Sequence, residues 1–150
     1  MIILQRTDSS NPDFINLVKQ LDALLAAIDG EDHLFYNALN TLGSIKHAVI
    51  VYADNNPVAC GAMKDFNSTA MEVKRMFTLP EWRGRGLASQ VLNELEIWTK
   101  ELGYPTCILE TGNRQPEAIA LYQKCGYRRI ANYGQYEGIE NSVCFEKRLQ

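Results

Sequence analysis

Residues 72 to 88 read EVKRMFTLPEWRGRGLA, and a strand, a turn and a helix start are all legible in that run. Met71, Val73 and Phe77 alternate with polar neighbours and Thr78 is β-branched, which predicts a strand. Pro80 has no N–H to give to a ladder, so the strand should stop just before it. After Arg83-Gly84-Arg85-Gly86, apolar residues recur at helical spacing: Leu87, Val91, Leu95, Trp98 and Leu102. A strand that passes through a glycine-rich turn into a helix suits a phosphate. The turn's N–H groups and the helix's positive end converge on one point. Glycine is needed where a Cβ would obstruct the ligand or resist a positive φ. Arg83 and Arg85 add mobile positive charge at the mouth.

Upstream, residues 47–53 and 58–66 read as strands joined by a turn at Asp54-Asn55-Asn56-Pro57. Asn67-Ser68 turns the chain again; with Thr69 it matches a glycosylation acceptor and is read here as a turn. Residues 2–6 form a first strand. Ser10-Asn11-Pro12-Asp13 opens a helix, with Ser10 as capping residue, an early proline and an acid three positions after the serine. Phe14, Leu17, Val18, Leu21, Leu24, Leu25 and Ile28 make its apolar stripe and Gly30 ends it. A short second helical run passes through Phe35 and Leu39. Downstream, Gly103 stops the long helix, 105–111 is a strand, 116–124 a helix ending at Gly126, and 127–133 and 142–149 are strands. Hairpins, then a βαβ unit, then a helix and two strands give a mixed α/β fold. Its single sheet is largely antiparallel and flanked by helices, in one domain over residues 1–150.

Composition is ordinary for a globular chain, 46% hydrophobic and 22% charged. A net charge of −3 argues against nucleic acid as the main partner, since binding a phosphate backbone needs a basic face. No apolar run approaches membrane-spanning length, and residues 1–6 are too short for a signal core. The expectation is a cytoplasmic protein with no membrane partner. Cys60, Cys107, Cys125 and Cys144 are far apart, with no C-x-x-C and no nearby histidine, so no metal site is indicated. Three of the four lie in apolar surroundings, as small core residues do.

The run Glu81-Trp82-Arg83-Gly84-Arg85-Gly86 resembles the acetyl-CoA-binding motif of the GNAT superfamily of N-acetyltransferases, R/Q-x-x-G-x-G/A at a strand-to-helix junction. Glu81 departs from the leading Arg or Gln, and Arg83 stands close enough to supply the charge. Residues 118–127, AIALYQKCGY, look like a second hallmark, A-x-x-L-Y-x-K-x-G-F/Y. The likeness covers roughly residues 48–149 and implies a GNAT-like acyl-CoA N-acyltransferase fold with acetyl-CoA as co-substrate. It implies that Arg83, Gly84, Arg85, Gly86, Leu87 and Ala88 hold the pyrophosphate. Backbone N–H groups of Met76, Phe77 and Thr78 would face the thioester oxygen. The family often carries an asparagine at the position of Gln115; here Asn113, two residues earlier, is the substitute contact.

The chemistry can be set out independently. An alkylamine has a pKa near 10, so at neutral pH only on the order of one molecule in a thousand is unprotonated. Acetyl transfer to it needs a base, an oxyanion site and an acid for the departing thiolate. Glu72 is the base candidate, on the face opposite Val73, Arg75 and Phe77; it also fits a surface glutamate paired with a cross-strand lysine. Many family members place a catalytic glutamate at this offset, often acting through water. Tyr122 matches the family tyrosine near the coenzyme sulfur and can donate its proton, although it also fits the core.

Arg75 in an apolar row must be paired or serve a ligand, with Glu110 as its expected partner. If left unpaired it offers a fork for an acceptor carboxylate, with His33 as a second donor. Tyr133 falls on a loop on the acceptor side. An acceptor-carboxylate role for these residues would favour a small zwitterion such as an amino acid, within the general expectation of a small-molecule or peptide amine as acceptor. A homodimer through the last strands is compatible with the pattern. Two rivals are a dinucleotide-binding unit, against which Ser89 replaces the third glycine, and an acyl-CoA-binding module without catalysis.

Overall fold

The computed structural model describes residues 1–29 and 45–150. The helical run through Phe35 and Leu39, and His33, lie outside the described residues. The elements are β1 (Ile2–Thr7), α1 (Pro12–Asp29), β2 (His47–Ala53), β3 (Asn56–Asp65), β4 (Ala70–Thr78), α2 (Leu87–Glu101), β5 (Thr106–Gly112), α3 (Pro116–Lys124), β6 (Arg128–Ile130) and β7 (Ser142–Arg148). They form one mixed sheet in the order β1-β2-β3-β4-β5-β7-β6. Its pairs are antiparallel except β4 with β5, the pair that α2 connects.

Local chemistry accounts for most of these elements. Asp54 and Asn55 carry positive φ in a two-residue turn that sets Ala53 opposite Asn56, a conformation asparagine and aspartate tolerate. The cap of α1 is Asn11, whose Oδ1 accepts the Asp13 N–H at 2.8 Å. Ser10, the expected cap, instead donates its hydroxyl to Asp8. Pro12 at the first helical position fixes the cap one residue later than the serine. The expected strand 127–133 shortens to Arg128–Ile130. Past Ile130 the chain leaves the ladder, Asn132 bonding the Ile139 carbonyl and Tyr133 leading into a short 3-10 turn.

Two cores sit on opposite faces of the sheet. On one, α1 places Phe14, Leu17, Val18 and Leu21 against Ile50, Cys60, Ala62 and Phe77. On the other, α2 places Leu87, Val91, Leu92 and Leu95 against Val49, Met63, Met71, Val73 and Leu109. The helical stripe expected through Trp98 and Leu102 turns outward at its end, where Leu102 is 41% exposed. Cys60, Cys107 and Cys144 are buried as free thiols and Cys125 is half-buried.

The centre of the sheet contains an irregularity on which the site depends. Cys60 pairs with Phe77 but Ala62 pairs with Lys74, so Arg75 and Met76 together face Gly61. Arg75 takes a left-handed φ of 60° there, rare for a side chain of its size. The Cys60 thiol donates to the Arg75 carbonyl at 3.4 Å. This surplus residue overturns the expected alternation of β4. Val73 packs on the α2 face, while Phe77 belongs to the α1 core and Arg75 reaches α1. The three do not share a face. Beyond the bulge the strands part: the β4–β5 ladder ends at Val73↔Leu109, although β4 runs to Thr78 and β5 to Gly112.

Candidate active site

Where β4 and β5 separate there is a cleft of about 120 Å³, lined by residues that include Glu72, Lys74, Arg75, Met76, Glu110, Gln115, Tyr122 and Tyr136. Glu72 comes from β4, before the bulge, and is buried. Its Oε2 accepts the Tyr133 hydroxyl at 2.6 Å and its Oε1 lies 3.4 Å from Lys74 Nζ. The lysine is two residues along the same strand, not across from it. Burial lowers the Lys74 pKa, against the opposing pull of Glu72. Tyr136, on the loop after β6, stands 3.4 Å from Lys74 Nζ. Burial, followed by the Glu72 charge, raises the Tyr133 phenol above its ordinary range, so it stays a donor.

Tyr122 arrives on the opposite wall. Helix α3 starts at Pro116, whose missing N–H costs nothing at that position, and Tyr122 is its buried residue. The ring packs edge-on to Tyr127, with centroids 6.0 Å apart. Burial raises its pKa, which keeps the phenol protonated at neutral pH. Glu72 and Tyr122, fifty residues apart in the chain, thus line one cleft.

The turn after β4 has the expected form. Pro80–Trp82 makes one 3-10 turn, Gly84 and Gly86 both take φ 78°, and Gly86 caps α2. A Cβ built on either glycine would meet nothing within 4 Å. Their backbone angle, and not packing within the protein, is what demands glycine. Arg83 donates to the Thr78 carbonyl at 3.1 Å, and Arg85 lies over Trp82, 4.4 Å from the ring centroid. Leu87 is buried as the first residue of α2, and Ala88 follows it.

Other expected residues take different places. The guanidinium of Arg75 pairs with Asp22 of α1, Nη1 to Oδ1 at 2.9 Å, and not with Glu110. The bulge turns Arg75 towards α1, where Asp22 takes its guanidinium, while Glu110 lines the same cleft. Asn113 lies on an exposed loop bonded to Asn141, its N–H to the Asn141 carbonyl at 2.8 Å, whereas Gln115 lines the cleft. Lys74 and Asp22 carry no site signal in the sequence, whereas Tyr136 falls with Tyr133 on the expected acceptor-side loop. No local pattern marks a buried lysine at Lys74.

A larger groove of about 500 Å³ opens at the other end of the same sheet, between Phe66, Ala70, Thr106, Ile108, Ile130 and Leu149. It holds neither Glu72 nor Tyr122. Tyr133 is the residue common to both regions, lining the groove with its side chain and meeting Glu72 through its hydroxyl.

A splayed parallel pair, a glycine turn capping the helix between them, and a buried carboxylate and phenol lining the splay together make up an architecture suited to an acyl-CoA ligand. The profile of the "Acetyltransferase (GNAT) domain" matches residues 44–129. The IAA acetyltransferase of Azospirillum brasilense is 30% identical over 137 residues, covering 90% of each chain. A Klebsiella pneumoniae structure assigned as an acyl-CoA N-acyltransferase superposes with a TM-score of 0.84 at 28% identity, covering 100% of this chain and 99% of that one. A GNAT acetyltransferase from Elizabethkingia anophelis, solved with acetyl-CoA bound, gives 0.72 at 16% identity over 99% and 98% of the two chains. The chain belongs to the GNAT acetyltransferase family. It is an acyltransferase with acetyl-CoA as co-substrate, which sets aside the dinucleotide and non-catalytic readings. Among the described residues, no helix is long and apolar enough to cross a membrane.

Proposed function

We propose that this protein acetylates a primary amine of a small molecule or peptide by direct attack on acetyl-CoA in a ternary complex. The observation that carries the reading is the convergence of Glu72 and Tyr122 on the cleft where β4 and β5 part. The amine's lone pair forms the new C–N bond at the thioester carbonyl, and its proton passes to Glu72, directly or through a water. Backbone N–H groups of Met76 to Thr78, freed from pairing with β5, are the oxyanion donors. As the C–S bond breaks, Tyr122 gives its proton to the departing thiolate. The turn from Arg83 to Ala88 holds the pyrophosphate.

Direct attack fits the thiols better than a covalent intermediate does. Burial pushes Cys60 up to about 12 and Cys144 up to about 11, so neither is a thiolate at neutral pH. Cys107 is raised by burial as well. The test is thiol release from acetyl-CoA across a panel of amino acids, polyamines, aminoglycosides and peptide N-termini. Release with one acceptor class, and a product heavier by one acetyl group, supports the reading. An acetylated protein that forms without acceptor and then discharges to it would replace direct attack with a relay.

A further inference from the structure

Arg75 combines three features that an ordinary structural arginine does not need. Its backbone is held at φ 60°, a left-handed conformation that strains a residue other than glycine. Its side chain is 5% exposed and forms part of the cleft wall. Asp22 takes Nη1, but Nε is buried with no hydrogen-bond partner among the described residues. A buried cation with an unmatched donor is costly, and a bound ligand can supply the acceptor.

We propose that the unmatched Nε of Arg75 receives a carboxylate of the acceptor, which makes the acceptor a small amino acid or a similar amine bearing a carboxylate. The inference rests on the transfer reading above and names its substrate class. Asp22 pins one arm of the planar guanidinium and so fixes its orientation, and a carboxylate matches the remaining fork geometry. Glu72 and Arg75 line the same cleft, whose volume equals that of about four liquid waters. In this arrangement the acceptor's amine is set at Glu72 and its carboxylate at Arg75.

The experiment compares L-amino acids with their carboxamides by thiol release, corrected for each compound's free-amine fraction, in wild type and in Arg75→Lys. Acetyl-CoA binding is measured in parallel by calorimetry. The acids should be preferred in kcat/KM by roughly ten- to a hundredfold, the range for a charged hydrogen-bonded contact. Arg75→Lys keeps the charge without the fork and should lose most of that preference with acetyl-CoA affinity unchanged. Equal use of acid and amide in wild type overturns the inference, and that comparison stands even if the variant does not fold. A variant that loses acetyl-CoA affinity also overturns it, by giving Nε to the co-substrate. Release with simple amines but not acids sinks this inference alone; no release with any amine, while acetyl-CoA binds, sinks the transfer reading with it.

Discussion

Glu72 and Tyr133 lie 61 residues apart in the chain, and a 2.6 Å hydrogen bond joins them. Under the proposed roles, Glu72→Gln and Tyr122→Phe should each lower turnover about 10²–10⁴-fold, the range for losing one proton-transfer group. Acetyl-CoA affinity should hardly change. The Glu72→Gln deficit should be greatest at low pH, where the amine is most protonated, and should shrink as rising pH deprotonates it unaided. A deficit uniform in pH would make Glu72 a positioning residue. Burial raises Tyr122 above its usual value near 10, so its own ionisation should leave no fall in the wild-type profile below that pH. Tyr133→Phe removes the donor to Glu72 while keeping the ring beside Phe66. It should lower kcat by about tenfold, the worth of one charge-assisted hydrogen bond, and spare acetyl-CoA binding. In Gly84→Val or Gly86→Val the new side chain has room, yet φ 78° strains it by about 1–2 kcal/mol. Both variants should fold and lose acetyl-CoA binding; a normal calorimetric titration would remove the phosphate role from this turn.

At the scale of elements, the bulge of β4 is matched by Gly61 on β3. A Cβ there would come within 2.5 Å of Met76 Sδ and 2.6 Å of Val91 Cγ1. Met76 can move its thioether aside, but Val91 is fixed by its branch and by α2 behind it. Gly61→Ala should therefore destabilise the protein by about 1–3 kcal/mol, as overpacked cores do, read from the urea midpoint at unchanged slope. The same bulge marks where the sequence stops being informative. The glycine turn, the capped helices and the hairpins are legible because each is written in adjacent residues. The alternation of Val73, Arg75 and Phe77 reads as one face, since nothing in the letters reveals a single surplus residue. Once it is inserted, Arg75 leaves the face of Val73 and meets Asp22 of α1. Residues 127–133 look β-prone throughout, but the pull of Tyr133 and Tyr136 towards Cys144, Glu72 and Lys74 takes the chain off the ladder after Ile130. Such contacts join segments dozens of residues apart and leave no periodic trace. The second motif did reveal Tyr122, because its helix and stop signal are local.

Across the whole molecule, the sheet is also held to its helices by polar contacts. Arg6 of the edge strand β1 bonds Glu94 and Glu101 of α2 and lies over Trp98. Binding of acetyl-CoA should add stability by mass action. At a hundred times its dissociation constant the gain is about 2.7 kcal/mol, or roughly 5–10 °C in melting temperature for a chain of this size. NAD and ATP at equal concentration should leave the melting temperature where it is, and an equal rise with either would undo the assignment of the co-substrate site.

The short β4–β5 ladder has a mechanical consequence. Among the described residues, the ladder of Ala70 to Val73 with Thr106 to Leu109 alone pairs the antiparallel block β1–β4 with the block β5, β7 and β6 in the sheet. The sheet is thus two slabs with a brief seam, and past the seam their main chains face each other with no rungs between them. A co-substrate lying in that gap would serve as the missing rungs and staple the slabs together. Amide hydrogen exchange should then slow on bound acetyl-CoA along both flanks of the gap, residues 74–78 and 110–112. It should slow as well at the outer strand β6, which touches no ligand and is tied to the gap only through β7.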